Sequence, residues 1–219
     1  MGARVALDMA QCHYLLHVMR WTEGEDIRVF NGVEGEYRAR CQKISKTMLE
    51  GVCTQKLREQ TRVPAPVHVI FSPIQKQRMD FLIEKAVELG VTAFHPVLMA
   101  RTQGRTLNFS RLESQIVSSA EQCERLDLPV VHPVVSLKDK IVSWQATPVV
   151  HWAIERRHEV PDIRTVPQIS AILVGPEGGF DPQESSFLNA QGHIRPVSLG
   201  ERILRAETAV LKCLSHMGA

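Results

Sequence analysis

Strand-like and helix-like segments alternate from Val67 to the end of the chain, and this alternation sets the fold class. Three segments, starting near residues 76, 110 and 206, carry apolar residues at helical spacing, and Ser110 is the predicted N-cap of the second. Between them lie apolar runs of the length of buried strands: "VHVIFSPI", "VTAFHPVLM", "PVVHWAI", "AILVG" and "IRPVSLG". We therefore predict an α/β domain with a mostly parallel sheet covered by helices on both faces.

The first sixty residues follow a different pattern. A short helical segment spans His13 to Arg20, and then polar and apolar residues alternate on both sides of Asn31-Gly32, a strong signal for a β-hairpin. "LEGVCTQKL" is one more short strand, and closely spaced strands of this kind predict a small β-barrel. Prolines in "TRVPAPVHV" indicate a linker. We therefore expect two domains, residues 1–62 and 66–219.

Composition excludes several classes of protein. The 219-residue chain has a net charge of only +2, so its charge alone does not indicate nucleic acid binding. Its five cysteines are far apart and form no C-x-x-C, which predicts reduced thiols rather than disulfides or a zinc site. His13 and His17 form H-x-x-x-H but lack the glutamate of a zinc-binding helix. Without a signal peptide pattern or an apolar run of membrane length, we expect a cytoplasmic protein with no membrane segment and no metal.

Two glycine loops near the C-terminus are candidates for ligand binding. Gly175–Gly179 and Leu199–Ala209 each follow an apolar strand, and ligands of open α/β sheets bind beyond the carboxyl ends of the strands. Neither loop contains a phosphate-binding G-x-x-x-x-G-K-[ST] or G-x-G-x-x-G motif. Their amides, carbonyls and small apolar side chains suit a neutral purine and a sulfonium-bearing tail. Alternatively, the first loop is a plain turn before a helix capped by Asp181, and the second is the entry to a core helix.

The two loops also carry a family resemblance. "LVGPEGGF" and "SLGERILRAETAV" strongly resemble the ribosomal RNA small-subunit methyltransferase E family, a group of knotted SPOUT enzymes. "KQRMDFLIEKAVELGVTAFHPV", "SSAEQCERLDLPVVHPV" and "HYLLHVMRWTEGEDIRVFNGVEGEYRA" extend the resemblance over nearly the whole chain. It implies a PUA-like RNA-binding barrel joined to an α/β domain with a C-terminal trefoil knot. It further implies a homodimer that uses S-adenosylmethionine to methylate uridine N3 in the 16S ribosomal RNA of the small subunit.

The resemblance places the cofactor between the two loops, in the segment from about residue 171 to 210. The residues implied on the first side are Leu173, Val174, Gly175, Glu177 and Gly178. Those implied on the second side are Leu199, Gly200, Ile203, Leu204 and Ala206. Glu155 is a further possible contact, with an ordinary salt bridge as the alternative.

Methylation at uridine N3 requires that the N3 proton leaves and that the resulting anion is stabilised by aimed donors. Arg205 and Glu207 are the predicted catalytic pair, because they lie beside the second loop two residues apart. Arg205 would stabilise the anion or bind a phosphate, and Glu207 would orient the uracil or accept the proton. The alternative for Glu207 is a carboxylate that favours the helix dipole, and Glu121 and Glu177 are reserve bases.

The target base has to leave its stack, so arginines must hold the RNA backbone. The predicted RNA-binding residues are Arg20, Arg101 and Arg125, with Lys43, Lys46 and Arg205 as further candidates. Compared with the family, the chain starts after an Arg- and Phe-rich first strand and has Cys123 and Glu124 at two altered positions. Two other functions stay open: methylation of another RNA base, and a catalytically inactive RNA-binding module.

Overall fold

The computed structural model describes residues 2–45, 47–60, 66–103, 106–144, 148–155 and 159–217. The chain divides into two compact units, residues 1–63 and 64–219. Lys46, the linker residues 61–65 and the arginines at 156 and 157 lie outside the described residues.

The N-terminal unit contains one antiparallel sheet of four strands in the order β1-β4-β3-β2. The strands are β1 (Arg4–Ala6), β2 (Asp26–Phe30), β3 (Glu36–Lys43) and β4 (Leu49–Arg58). Helix α1 (Met9–His13) continues into a π-helical turn at Tyr14–Val18. The small antiparallel sheet agrees with the predicted PUA-like domain, although the sequence pattern did not predict the short strand β1.

Local side-chain chemistry explains two features of this unit. The predicted hairpin at Asn31-Gly32 is confirmed, since β2 and β3 pair across it and Asn31 Oδ1 accepts hydrogen bonds from the amides of Val33 and Glu34. The N-terminal helix starts earlier than predicted because Asp8 and Gln11 form a capping box. The π-helical turn ends at Val18, and Arg20 follows its C-cap with a φ of 55°, which allows the amide of Trp21 to donate to the carbonyl of Leu15.

The C-terminal unit is built on a parallel sheet in the order β11-β9-β10-β5-β6-β7, with β8 pairing with β6. The predicted parallel sheet is therefore confirmed. Its strands are β5 (His68–Phe71), β6 (Ala93–Leu98), β7 (Val130–Val131), β8 (Val135–Ser136), β9 (Val150–Ile154), β10 (Ala171–Val174) and β11 (Ile194–Ser198). Its helices are α2 (Lys76–Glu88), α3 (Phe109–Gln122), α4 (Leu137–Ser143), α5 (Pro182–Asn189) and α6 (Ala206–Leu214).

Helix α3 corrects one prediction, because its N-cap is Asn108 and not Ser110. The Asn108 side chain accepts a hydrogen bond from the amide of Arg111, which satisfies one of the free amides of the first turn. Helix α4 was not predicted from the sequence. It is short, and its N-cap is Ser136, whose side chain accepts a hydrogen bond from the amide of Asp139.

Helices cover both faces of the parallel sheet, as predicted. Ala171 and Leu173 of β10 belong to a buried cluster that includes Leu137 and Ile141 of α4 and Leu188 of α5. Successive side chains of a strand point to opposite faces, so the intervening residues of β10 face the other layer. On that side α6 contacts β10, and α2 packs against both α3 and α6.

A cluster of three histidines is built into the sheet away from the glycine loops. His68 Nδ1 lies 3.0 Å from His95 Nε2, and Lys140 Nζ lies 3.2 Å from His95 Nδ1. The rings of His95 and His132 are stacked with centroids 4.1 Å apart. Burial, followed by the neighbouring cationic groups, lowers the pKa of His95 to about 3. The pKa values of His68 and His132 are lowered for the same reasons. All three imidazoles are therefore neutral in the folded protein near pH 7.

We expect this cluster to make the protein less stable as the pH falls from about 6.5. In that range the unfolded histidines bind protons, whereas folded His95 stays neutral and folded His68 and His132, with lowered pKa values, bind fewer protons. Each histidine therefore adds a slope of up to about 1.4 kcal/mol per pH unit. Urea unfolding at several pH values between 7.5 and 5 measures the slope. His95→Gln should reduce it, whereas His17→Gln, at an exposed position, should leave it unchanged. Equal slopes for the wild type and His95→Gln would contradict the prediction.

Candidate functional site

A cavity of about 630 Å³ lies in the C-terminal unit beyond the carboxyl ends of β9, β10 and β11. This volume is within the usual range for small-molecule sites. The two glycine loops form much of its wall. Its lining consists of residues 152–155 at the end of β9, residues 174–180, residues 199–206, and Arg101, Ser185 and Ala209.

The first loop is fixed at both ends by backbone and capping interactions. The amide of Gly179, whose φ is 68°, donates to the carbonyl of Pro176 at 2.8 Å. Asp181 caps α5 and forms a capping box with Glu184. The other carboxylate oxygen of Glu184 accepts from the amide of Ala100 at 2.7 Å. The loop is therefore tied to the segment that follows β6, and the capping role predicted for Asp181 is confirmed.

Removing this cap should destabilise the protein without changing the lining of the cavity. Asp181→Ala removes the oxygen that accepts from the amides of Gln183 and Glu184, which costs about 1 kcal/mol of unfolding free energy. Asp181→Asn keeps an acceptor and should cost less. Denaturant unfolding of the two variants measures the difference, and an equal loss in both would contradict a capping role.

Close packing explains two glycines of the first loop. A Cβ at Gly175 would lie 2.8 Å from the ring of Phe180, which itself packs edge-on against Trp152 with centroids 5.2 Å apart. A Cβ at Gly178 would lie 3.2 Å from Cβ of Arg101, and Arg101 Nη1 donates to the carbonyl of Gly178 at 2.7 Å. Glycine at position 175 therefore avoids a clash with Phe180, and glycine at position 178 lets the backbone approach Arg101 closely.

The second loop is held to the start of α6. Gly200 has a φ of 97°, and its amide donates to Ser198 Oγ at 3.1 Å. Lys212 Nζ, on α6, donates to the carbonyl of Leu199 at 2.6 Å. Arg205 is the N-cap residue of α6 but makes no side-chain capping bond. Its side chain is exposed and lies at the edge of the cavity. It is therefore available to a ligand there.

The structure brings most of the predicted cofactor residues together around the cavity. Leu173 is the exception: its side chain is fully buried in the core on the face covered by α4 and α5. Glu155, the predicted catalytic residue Arg205 and the predicted RNA-binding residue Arg101 also line the cavity. The predicted cofactor residues in the lining are Val174, Gly175, Glu177, Gly178, Leu199, Gly200, Ile203, Leu204 and Ala206.

Glu207 and Arg205 do not form a pair across the cavity. Glu207 is only 7% exposed and is not among the lining residues. Its Oε1 lies 3.8 Å from Nε of Arg78, and its Oε2 has no hydrogen-bond partner among the described residues. Of the reserve bases, Glu177 lines the cavity, whereas Glu121, whose pKa is raised by burial, lies on α3 outside the lining.

The predicted RNA-binding residues differ in their surroundings. Arg125 has a side chain that is only 11% exposed, and it donates to the carbonyls of Val87 and Val91 and to the carboxylate of Asp127. These bonds fix the end of α2 and give Arg125 a structural role. Arg20 is exposed in the N-terminal unit.

Sequence patterns alone missed several residues at the site. Phe180 and Trp152 line the cavity, and Trp152 Nε1 is buried without a hydrogen-bond partner among the described residues. The position of Trp152 near the carboxyl end of a predicted strand was the available signal. Arg78 gave no such signal, because it lies in the first turn of a helix far from both loops in the sequence.

The described part of the chain shows neither a metal site nor a membrane-spanning helix. No group of three or more His, Cys, Asp or Glu side chains there is placed to hold a metal ion. No helix in the described ranges is long and apolar enough to cross a membrane.

Comparison with known proteins decides the family. A model for an RNA methyltransferase domain matches residues 61–218, and a model for an RNA methyltransferase PUA domain matches residues 7–51. The ribosomal RNA small subunit methyltransferase E of Synechocystis sp. is 30% identical over 99% of this chain and 73% of its own length. The chain belongs to the ribosomal RNA small subunit methyltransferase E family.

Other members of the methyltransferase E family are similar to this protein over nearly the whole chain. The protein from Rickettsia conorii is 29% identical over 94% of this chain and 85% of its own length. The crystal structure of the Neisseria gonorrhoeae family member, bound to S-adenosyl methionine, superposes with a TM-score of 0.87. The two chains are 29% identical, and the superposition covers 99% of this chain and 91% of the other. The predicted family and fold class are therefore confirmed.

Proposed function

We propose that this protein uses S-adenosylmethionine to form 3-methyluridine in the 16S ribosomal RNA of the small subunit. The observation that carries the proposal is the cavity formed by the two glycine loops, in a chain that superposes on a relative solved with that cofactor. The choice of uridine N3 as the methylated atom rests on the family resemblance of these loops and not on the shape of the cavity.

The residues of the cavity fit this cofactor. Its volume suits a ligand of this size, and Gly178 gives open backbone where a side chain would intrude. The indole N–H of Trp152 is a buried donor without a partner among the described residues. Apolar Val174, Leu199 and Leu204 offer surfaces for a purine, and Glu177 offers a carboxylate to a positively charged group. When bound, the cofactor supplies the methyl group.

The side chains of this protein would position the uridine and stabilise its anion. Arg205 is exposed at the edge of the cavity and has five N–H donors that can stabilise charge on the uracil oxygens. The first turn of α6, which reaches the cavity at Ala206, adds the partial positive charge of a helix N-terminus. Because Glu207 lies outside the lining, Glu177 is the better candidate for the proton acceptor.

RNA binding and assembly belong to the same proposal. We propose that Arg20 and Arg101 contact the RNA backbone. Arg125 is not part of this proposal, because its donors serve the fold. A homodimer is part of the proposal on the family resemblance alone. The small ribosomal subunit is the proposed substrate and the cytoplasm the proposed location.

Three measurements test the proposal. Calorimetry should show binding of S-adenosylmethionine, and sedimentation should give the mass of a dimer. Purified protein should then transfer labelled methyl groups to small subunits that lack the modification, with mass spectrometry showing 3-methyluridine. A label on another base would support the alternative methyltransferase. Cofactor binding without any RNA label would instead favour an inactive RNA-binding module.

A further inference from the structure

Arg78 joins the two loops of the cavity from the outside. Its Nη1 donates to Oε1 of Glu177 at 3.2 Å, and its Nε lies 3.8 Å from Oε1 of Glu207. Glu177 belongs to the first loop, and Glu207 belongs to the second, in the part that forms the first turn of α6. One guanidinium therefore faces a carboxylate from each side of the cavity.

The fold gives Arg78 a rigid base. It lies in the first turn of α2, and α2 packs against α6, the helix that carries Glu207. Arg78 itself is not among the residues that line the cavity. A substitution at Arg78 therefore removes no group from the lining, and it can affect the cavity only through the residues that Arg78 contacts, Glu177 and Glu207.

The burial of Glu207 makes this ion pair more than a surface contact. Exposed pairs contribute little, but a buried carboxylate that loses its cation is costly. The side chain of Glu207 is 9% exposed, against 25% for Glu177 and 31% for Arg78. Glu207 Oε2 has no hydrogen-bond partner among the described residues, and Arg78 is the cationic side chain that the structure places within ion-pair distance of this carboxylate.

We propose that Arg78 is a positioning residue that couples the two loops, with Glu207 anchoring its guanidinium and Glu177 presented to the cavity as a result. This inference rests on the proposed function in one respect, namely that the cavity binds S-adenosylmethionine. It assigns Glu207 an indirect role through Arg78 in place of the direct catalytic role predicted from the sequence. It also makes cofactor affinity depend on two residues that do not touch the cavity.

A double-mutant cycle on cofactor affinity tests the coupling. Glu207→Gln and Arg78→Met should each weaken S-adenosylmethionine binding by about tenfold, a loss of about 1.4 kcal/mol. The double variant should be no weaker than either single variant, because each change breaks the same link. Arg78→Lys should not restore binding, since a single ammonium group lacks the planar fork that faces both carboxylates.

Arg111→Met is the matched control. Arg111 of α3 also pairs with a carboxylate of α2, Asp80, but touches neither loop, so cofactor affinity should be unchanged. A purely structural role for Arg78 would lower the melting temperature and leave affinity within about twofold of wild type. That result, or independent effects that multiply in the double variant, would overturn the inference. A wild-type protein that binds cofactor but labels no RNA would instead refute the proposed reaction and leave this cycle interpretable.

Discussion

Gly178→Arg is expected to abolish cofactor binding, with the dissociation constant rising at least about 100-fold, or about 2.7 kcal/mol. A Cβ at this position already lies 3.2 and 3.3 Å from Cβ and Cδ of Arg101. The remaining side chain can then extend only by displacing Arg101 or by entering the cavity. Both outcomes remove binding volume, and the second brings a positive charge into a cavity that is proposed to bind a positively charged sulfonium compound. Calorimetry with S-adenosylmethionine measures the loss.

Gly192→Ala is the control for this substitution. A Cβ at Gly192 meets nothing within 4 Å, and the residue is not part of the cavity lining. Its affinity should equal that of the wild type. Thermal unfolding of Gly178→Arg should show a folded protein, because Gly178 lies on a loop at the surface of the cavity. Retention of wild-type affinity by the folded variant would show that the cofactor binds elsewhere.

Sequence patterns predicted the layers of the fold because each layer depends on local periodicity. β10 is a continuous apolar run since it is buried on both faces, and α5 carries its own cap in Asp181 and Glu184. The strand order β11-β9-β10-β5-β6-β7 could not be predicted from such patterns. The strand order depends on how segments that are distant in the sequence pack against one another, and the pattern within one segment does not contain that information.

The candidate site shows the same division between local and non-local information. The two glycine loops could be identified from the sequence, because glycines that directly follow an apolar strand form a local pattern. Leu173 was misplaced because an apolar residue at the end of a strand can face either layer, and only packing decides which. Glu207 was paired with Arg205 on sequence proximity, whereas the structure pairs it with Arg78, which is 129 positions earlier in the chain. Long-range ion pairs of this kind have no sequence signature.

The second large effect is expected for Arg205→Gln, which should reduce kcat for RNA methylation by about 10²–10³-fold. Arg205 lines the cavity with an exposed side chain, and it is the candidate donor for the anion that forms when uridine N3 loses its proton. Because it makes no capping bond to α6, the substitution should not unfold the helix. Cofactor affinity, measured by calorimetry, should therefore stay close to that of the wild type.

The division of the effect between kcat and KM identifies what Arg205 does. A donor that acts only as charge develops lowers kcat and kcat/KM together, whereas a phosphate contact raises KM and leaves kcat unchanged. Arg195→Gln is the control, because Arg195 is an exposed arginine of β11 outside the cavity lining. If Arg205→Gln changes KM alone, its role is RNA binding. If it changes neither constant, stabilisation of the anion must come from the first turn of α6 or from another donor, and the assignment of Arg205 is wrong.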